Sequence, residues 1–135
     1  MSTNPNASPA AFELCDVSKR YGSVPALDHV NLAFPAGSST ALIGSSGSGK
    51  STLLRVLLGL EWPDHGSVQV DGRVLELGQV LELRRRVGYV IQDGGLFPHL
   101  TGLGNLALQP RYLGWDMKRI RQRAEELAAD RKSVV

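Results

Sequence analysis

The sequence predicts an α/β fold in which a buried strand, a glycine-rich loop and a helix follow one another. Residues 40–43 form an apolar run typical of a strand, and residues 44–52 are rich in glycine and serine. The following residues, 52–60, are mostly apolar, as expected of a helix that packs beneath such a loop. At 135 residues, the chain is expected to form one domain.

The glycine-rich segment matches the pattern G-x-x-x-x-G-K-[ST] of a phosphate-binding loop. Its glycines allow a tight turn whose backbone N–H groups, with the start of the next helix, form a pocket of positive potential. In this pattern Lys50 contacts the β- and γ-phosphates and the Ser51 hydroxyl ligates Mg²⁺. The predicted nucleotide-binding residues are Gly44, Ser45, Ser46, Gly47, Ser48, Gly49, Lys50, Ser51 and Thr52.

Two strands are predicted ahead of the loop. They span residues 12–17 and 30–34, with a turn at Tyr21-Gly22 between them and another turn at 35–37. The preceding residues, 1–10, are mainly Ser, Asn, Pro and Ala, a composition that predicts a disordered tail.

Shorter elements are predicted after the loop and its helix. A turn at 62–66 leads to strands at 67–70 and 73–74, which flank the hairpin signal Asp71-Gly72. Residues 80–86 are compatible with a short helix, and the apolar run 87–91 predicts a strand that ends at Gln92.

The remainder of the chain has helical patterns. Thr101 is a candidate cap for a helix through Ala107, and Asp116 is a candidate cap for a longer one. An apolar stripe along the longer helix is interpreted as a packing face. The stripe consists of Met117, Ile120, Ala124, Leu127 and Ala128.

Composition narrows the class of protein. Hydrophobic residues make up 42% and charged residues 21%, which is ordinary for a soluble domain, and no apolar run is long enough to span a bilayer. We expect a cytoplasmic protein, with a peripheral role on a membrane partner left open.

A single cysteine excludes an internal disulfide. The net charge is only +2, and the short run 84–86 of arginines lacks interleaved aromatic residues, so no nucleic-acid partner is expected.

From about residue 12 to residue 129, the chain resembles the ATP-binding subunits of ABC transporters. The likeness rests on several signatures in order. They are Tyr21 with 25–28, the loop 44–52, Gly59-Leu60 with 66–68 and Asp71-Gly72, the segment 87–92, and the segment 96–101. The resemblance implies a P-loop NTPase fold of ABC type that binds ATP and Mg²⁺. It also implies that Tyr21 stacks on adenine, and that Gln92 helps to position Mg²⁺ and the attacking water as a catalytic residue.

The resemblance also implies partners and a place in the cell. These are a transmembrane permease subunit, a second ATP-binding subunit in a homodimer and, indirectly, a substrate-binding protein, at the inner face of the cell membrane. Segments 89–92, 95–99 and 111–115 are similar to importers of osmoprotectants such as glycine betaine and choline. The chain departs from the family pattern at Gly102 and Gly104, where a β-branched and an acidic residue are more usual.

Several family motifs are missing from the sequence. No apolar run ends in the acidic pair that would hold Mg²⁺ and polarise water; the adjacent acids Glu125 and Glu126 lie in a helical pattern. A Leu-Ser-Gly-Gly-Gln signature and a switch histidine are also absent. We therefore expect a truncated domain over 11–129, with antiparallel strands, a partial core sheet and a helical subdomain that begins near 93. We expect this chain alone to be unable to hydrolyse ATP.

The end of the chain has an unusual composition. Residues 130–135 resemble the translation of a common DNA-sequencing adapter, so we interpret them as a non-native tail.

Two functions stay open at this point. One is the ATPase subunit of an importer, and the other is a nucleotide-binding module without hydrolysis, such as a truncated regulatory paralogue.

Overall fold

The computed structural model describes residues 10–92 and 94–130, the last without its side chain. The chain divides into two units, Met1–Gly88 and Tyr89–Val135. The predicted tail 1–10 lies outside the described residues except for Ala10, which is instead the first residue of a strand. The predicted tail 130–135 also lies outside them, apart from the backbone of Asp130 at the end of a helix.

The first unit contains a four-stranded antiparallel sheet in the order β2-β1-β3-β4. The strands are β1 (Ala10–Tyr21), β2 (Val24–Pro35), β3 (His65–Val70) and β4 (Arg73–Val74). A tight turn joins β1 to β2, since Tyr21 pairs with Val24. Asp71 and Gly72 join β3 to β4 with φ angles of 49° and 75°. Both lie in the left-handed region that such a two-residue turn requires, so the predicted hairpin is confirmed.

Helix α1 (Lys50–Leu57) supplies one side of the core of the first unit. Its buried residues are Thr52, Leu53, Val56 and Leu57, a spacing that places them on one face of the helix. Three of these side chains share a buried cluster with residues from the sheet and from the chain that follows it. The cluster comprises Leu14, Val17, Leu27, Leu53, Val56, Leu57, Val68, Leu75, Val80 and Leu83. This packing fixes the helix that begins directly after the loop.

An arginine from the next helix caps the end of α1. Helix α2 (Val80–Arg86) follows a 3₁₀ turn at Leu77–Gln79. The Arg84 guanidinium donates to the carbonyl oxygen of Leu58 at 3.4 Å and to that of Gly59. A cation at this position satisfies carbonyl groups that have no partner within the helix. Arg84, the first residue of the arginine run, therefore helps to hold α1 in place.

Two predicted strands are not formed, at 40–43 and 87–91. Both segments are apolar, yet Ile43 is 94% exposed and Val90 is 92% exposed. A strand requires a neighbouring backbone to accept and donate its hydrogen bonds, and among the described residues every strand pair is antiparallel and excludes these segments. The two strands that were predicted for the partial core sheet are therefore not present in the described residues.

The described part of the second unit contains two helices, α3 (Gly102–Tyr112) and α4 (Met117–Asp130). Both predicted caps are confirmed, because Thr101 accepts from the N–H of Gly104 at 3.0 Å and Asp116 from that of Arg119 at 2.8 Å. Along the apolar stripe of α4, Ile120 is buried, whereas Met117 and Leu127 are exposed. Among the described residues, no helix is both long enough and apolar enough to span a membrane.

We expect Gly102→Ala to stabilise α3. A Cβ at Gly102 would meet no atom within 4 Å, and its φ lies outside the left-handed region. Replacing glycine by alanine inside a helix stabilises it by up to about 1 kcal/mol, and somewhat less in the first turn. Thermal unfolding measured by circular dichroism checks this, with Gly104→Ala as the matched comparison. At Gly104 a Cβ would lie 3.2 Å from the capping hydroxyl of Thr101, so a smaller gain is expected. A lower melting temperature for Gly102→Ala would contradict the prediction.

Candidate functional site

The glycine-rich loop is fixed against β2 by a close backbone contact. Gly47 and Gly49 have φ angles of 81° and 84°, in the region that favours glycine. A Cβ atom on Gly49 would lie 2.3 Å from the carbonyl oxygen of Ala26 and 3.3 Å from the side chain of Leu27. Only a residue without a side chain fits between the loop and the strand at this point.

The loop ends at a helix N-terminus whose N–H groups are available. Gly49 is the N-cap of α1 and contributes no side-chain cap. The N–H of Leu53 is bonded to the Gly49 carbonyl at 2.8 Å, whereas those of Lys50, Ser51 and Thr52 have no acceptor among the described residues. Such groups carry the positive end of the helix dipole and favour an anionic acceptor. The geometry is therefore suited to a phosphate group.

The ammonium group of Lys50 lies against the loop. It donates to the carbonyl oxygens of Gly44 at 2.9 Å and Ser45 at 2.6 Å, and to the hydroxyl of Ser48 at 3.0 Å. These three contacts use all three protons of the ammonium group. An anionic phosphate oxygen is a stronger acceptor than a neutral carbonyl. Lys50 can therefore exchange loop contacts for phosphate contacts without a large movement of its backbone.

The other loop residues differ in how accessible they are. Ser45, Ser46 and Ser51 are exposed, whereas Thr52 is buried in the core. The Ser51 hydroxyl can therefore reach a ligand, while Thr52 offers only its backbone N–H. Next to the loop lies a mostly apolar cavity of about 380 Å³. Its lining comprises Ala26, Leu27, Asp28, Val30, Leu32, Leu42, Ile43, Ser48, Gly49, Lys50 and Leu53.

Tyr21 lies at the end of the hairpin whose Ala26 approaches the loop. Its hydroxyl donates a hydrogen bond to the carboxylate of Glu61, which follows α1 in the chain. The residue is 46% exposed. Tyr21 belongs to the hairpin that Gly49 of the loop approaches, but among the described residues no hydrogen bond joins Tyr21 to the loop.

A second carboxylate, that of Asp64, holds the residues just before Tyr21. It accepts from the Lys19 ammonium at 2.9 Å and from the backbone N–H of Arg20 at 2.7 Å. The hydrogen bond from Lys19, followed by that from Arg20, lowers the pKa of Asp64 below its usual value. The same hydrogen bond raises the pKa of Lys19. Both groups therefore stay charged across the neutral range.

The sequence predicts only a turn at 62–66, and no pattern in it indicates that Glu61 and Asp64 contact residues 19–21. The signal that could have found them is strand register. Because β1 and β3 are antiparallel and Ser18 pairs with His65, the residues just before β3 must lie beside those just after Ser18. Two acidic residues therefore face the stretch Lys19-Arg20-Tyr21.

Gln92, which was predicted to help position Mg²⁺ and the attacking water, belongs to the second unit. It is exposed and lies in a bend. The segment that follows it is held by Asn105, whose side chain accepts from the N–H of Phe97 at 2.7 Å and donates to the carbonyl of Thr101 at 3.1 Å. His99 makes an edge-to-face contact with Phe97, with ring centroids 5.8 Å apart. The role of Gln92 at a nucleotide stays a prediction.

The chain matches a known protein family and is similar to two import ATP-binding proteins. A family model described as ABC transporter matches residues 27–134. The Fe(3+) ions import ATP-binding protein FbpC of Pseudomonas fluorescens is 50% identical over 98 residues, which cover 71% of this chain and 28% of that protein. The glycine betaine uptake system ATP-binding protein YehX of Escherichia coli is 44% identical over 118 residues, which cover 87% of this chain and 38% of that protein.

A solved structure has a similar fold. It is a dimeric ATP-binding cassette in a post-hydrolysis state, bound to ADP and Pi, with a TM-score of 0.75 and 32% identity. The match covers 85% of this chain and 54% of the cassette. This similarity confirms the fold class predicted from the sequence. The chain spans less than half the length of the two curated relatives, whose names state different solutes, iron and glycine betaine.

Proposed function

Because the chain belongs to the ABC transporter family, we propose that it binds ATP as part of the ATP-binding subunit of an importer. The observation that carries the proposal is the loop before α1, where Lys50 and three backbone N–H groups converge. In this proposal the residues 44–52 surround the phosphates, and Lys50 contacts the β- and γ-phosphate oxygens. The half-exposed ring of Tyr21 stacks on adenine.

The residues present fit Mg²⁺ only together with the nucleotide. Among the described residues, no group of three or more His, Cys, Asp or Glu side chains could hold a metal ion. Mg²⁺ commonly takes one or two protein ligands and several phosphate oxygens or waters. The exposed Ser51 hydroxyl would supply one ligand, while the ion would neutralise phosphate charge. A ligand role for Gln92 stays a prediction from the resemblance.

We also propose which partners the subunit assembles with and which solute the importer carries. The subunit would act as a homodimer on a transmembrane permease at the inner face of the membrane, with a substrate-binding protein as an indirect partner. The dimeric state of the similar cassette and the names of the import proteins support this. The segments 89–92, 95–99 and 111–115 favour an osmoprotectant such as glycine betaine or choline as the solute.

Substituting the loop lysine tests the proposal. We expect Lys50→Ala to weaken ATP binding by about tenfold to a hundredfold, because hydrogen bonds to charged groups contribute about 1.5–3 kcal/mol. Isothermal titration with ATP and Mg²⁺ measures the change. Lys118→Ala, on the exposed side of α4, is the matched control and should bind as the original chain does. Equal affinity of the Lys50→Ala variant and the original chain would contradict the proposal.

A binding module without hydrolysis is the alternative within the same site. The sequence contains no apolar run that ends in an acidic pair, and this favours the module without hydrolysis. Steady-state phosphate release by the extended gene product, measured beside the same product with Lys50→Ala, separates the two. Turnover that the substitution abolishes supports the ATPase, whereas binding without turnover supports the module.

A further inference from the structure

The ring of Tyr21 is anchored at its tip, and the residue is partly exposed. The hydroxyl is bound to the Glu61 carboxylate, while nearly half of the residue is exposed. A hydrogen bond at the phenol oxygen lies at the edge of the ring and leaves the flat faces free for stacking. The contact therefore restricts the rotation of the ring without covering the surface that would meet a base.

Glu61 is itself held on its other side. Its second carboxylate oxygen accepts from the Arg55 guanidinium at 3.3 Å, and its side chain is only 24% exposed. Arg55 lies in α1, the helix that begins at Lys50. Glu61 therefore links the tip of the Tyr21 ring to the helix that carries the loop lysine.

The backbone on which the ring is mounted is fixed by the same segment. Asp64 binds both Lys19 and the N–H of Arg20, and its own N–H donates to the carbonyl of Ser18 at 2.8 Å. Three contacts at consecutive positions, 19, 20 and 21, thus come from Glu61 and Asp64. The end of β1 cannot shift along β3 without breaking them.

We infer that Glu61 is a positioning residue that holds the Tyr21 ring ready to stack on the base of the bound nucleotide. This inference rests on the proposed function, in which Tyr21 meets adenine. A free tyrosine side chain loses rotamer freedom when it stacks, whereas a tethered one has lost that freedom before binding. Glu61 therefore acts on affinity for the base and leaves affinity for the phosphates unchanged.

Comparing ATP with inorganic triphosphate isolates the contribution of the base. Both ligands are titrated, with Mg²⁺, into the whole chain and into variants at Tyr21 and Glu61, and the ratio of the two affinities is the readout. Triphosphate binding also shows in each variant that the loop is folded. We expect Tyr21→Ala to lower the ratio roughly tenfold, since stacking of a base on an aromatic ring is worth that much or more.

The tether is tested by a double-mutant cycle. Glu61→Ala and Tyr21→Phe, which keeps the ring but removes the hydroxyl, are each expected to lower the ratio about threefold. The double variant should lower it no further, because both substitutions break the same hydrogen bond. Glu61→Gln should restore part of the ratio, since its amide oxygen still accepts. Glu82→Ala, at an exposed glutamate of α2, serves as the control and should leave the ratio unchanged.

The possible results distinguish stacking by Tyr21 from positioning by Glu61. If Tyr21→Ala lowers the ratio but Glu61→Ala does not, the positioning role is wrong and the stacking role stands. If the effects of Glu61→Ala and Tyr21→Phe multiply in the double variant, Glu61 acts independently of the hydroxyl and the inference is also wrong. If Tyr21→Ala leaves the ratio unchanged, the stacking role itself fails, and the inference fails with it.

Discussion

Gly49→Ala is expected to abolish phosphate binding and to destabilise the first unit strongly. The added Cβ would lie 2.3 Å from the backbone oxygen of Ala26, a distance that carbon and oxygen atoms do not adopt. The residue also has a φ of 84°, which alanine adopts only at a cost of about 1–2 kcal/mol. Because the obstacle is backbone rather than a flexible side chain, the loop must move away from β2.

The expected loss of stability for Gly49→Ala is on the order of 3 kcal/mol or more, a size that points to a specific steric cause. Chemical unfolding gives the loss of stability, and titration with inorganic triphosphate gives the loss of binding. Gly47→Ala is the matched control, since Gly47 has a similar φ of 81° but no atom within 4 Å of its Cβ position. This variant should lose only the conformational part, about 1–2 kcal/mol. Equal losses in the two variants would show that the contact with Ala26 is unimportant.

The loop could be predicted from the sequence because its determinants are contiguous. Nine successive residues contain the glycines, the lysine and the hydroxyl, and no information about distant pairing is needed. The same is true of the caps at Thr101 and Asp116, each of which bonds an N–H three residues later. The hairpin at Asp71-Gly72 is also encoded within a few residues.

Features that depend on distant pairing could not be predicted in the same way. The apolar runs 40–43 and 87–91 have the composition of strands, but a strand forms only where a neighbouring backbone completes its hydrogen bonds. The contact between Tyr21 and Glu61 joins residues 40 positions apart and depends on the register of β1 and β3. No short stretch of the sequence shows that β1 pairs with β3, and without that pairing the register cannot be assigned.

The unpaired apolar runs have a physical consequence for the chain. Ile43 and Val90 are more than nine-tenths exposed, and each lies in an apolar run that pairs with no strand among the described residues. Such a run can pair with a backbone from another molecule. It also presents apolar surface that water solvates poorly. The chain is therefore expected to associate with itself and to have low stability as a monomer.

We expect the chain to bind the dye ANS and to sediment as species larger than a monomer at micromolar concentration. Replacing Ile43 and Val90 together by lysine should reduce dye fluorescence by about half or more and increase the monomer fraction, because a charge interrupts each apolar run. The melting temperature should hardly change, since substitutions at exposed positions usually alter stability by less than about 0.5 kcal/mol.

The matched control for this prediction is Leu77→Lys. Leu77 is 77% exposed but lies in a 3₁₀ turn, outside either apolar run. If general surface hydrophobicity caused self-association, this substitution would reduce it about half as much as the double variant does. If unpaired runs of apolar backbone cause it, the control should behave as the original chain. A monomeric original chain that binds no dye would contradict the prediction, because the two runs would then have to be covered within one molecule.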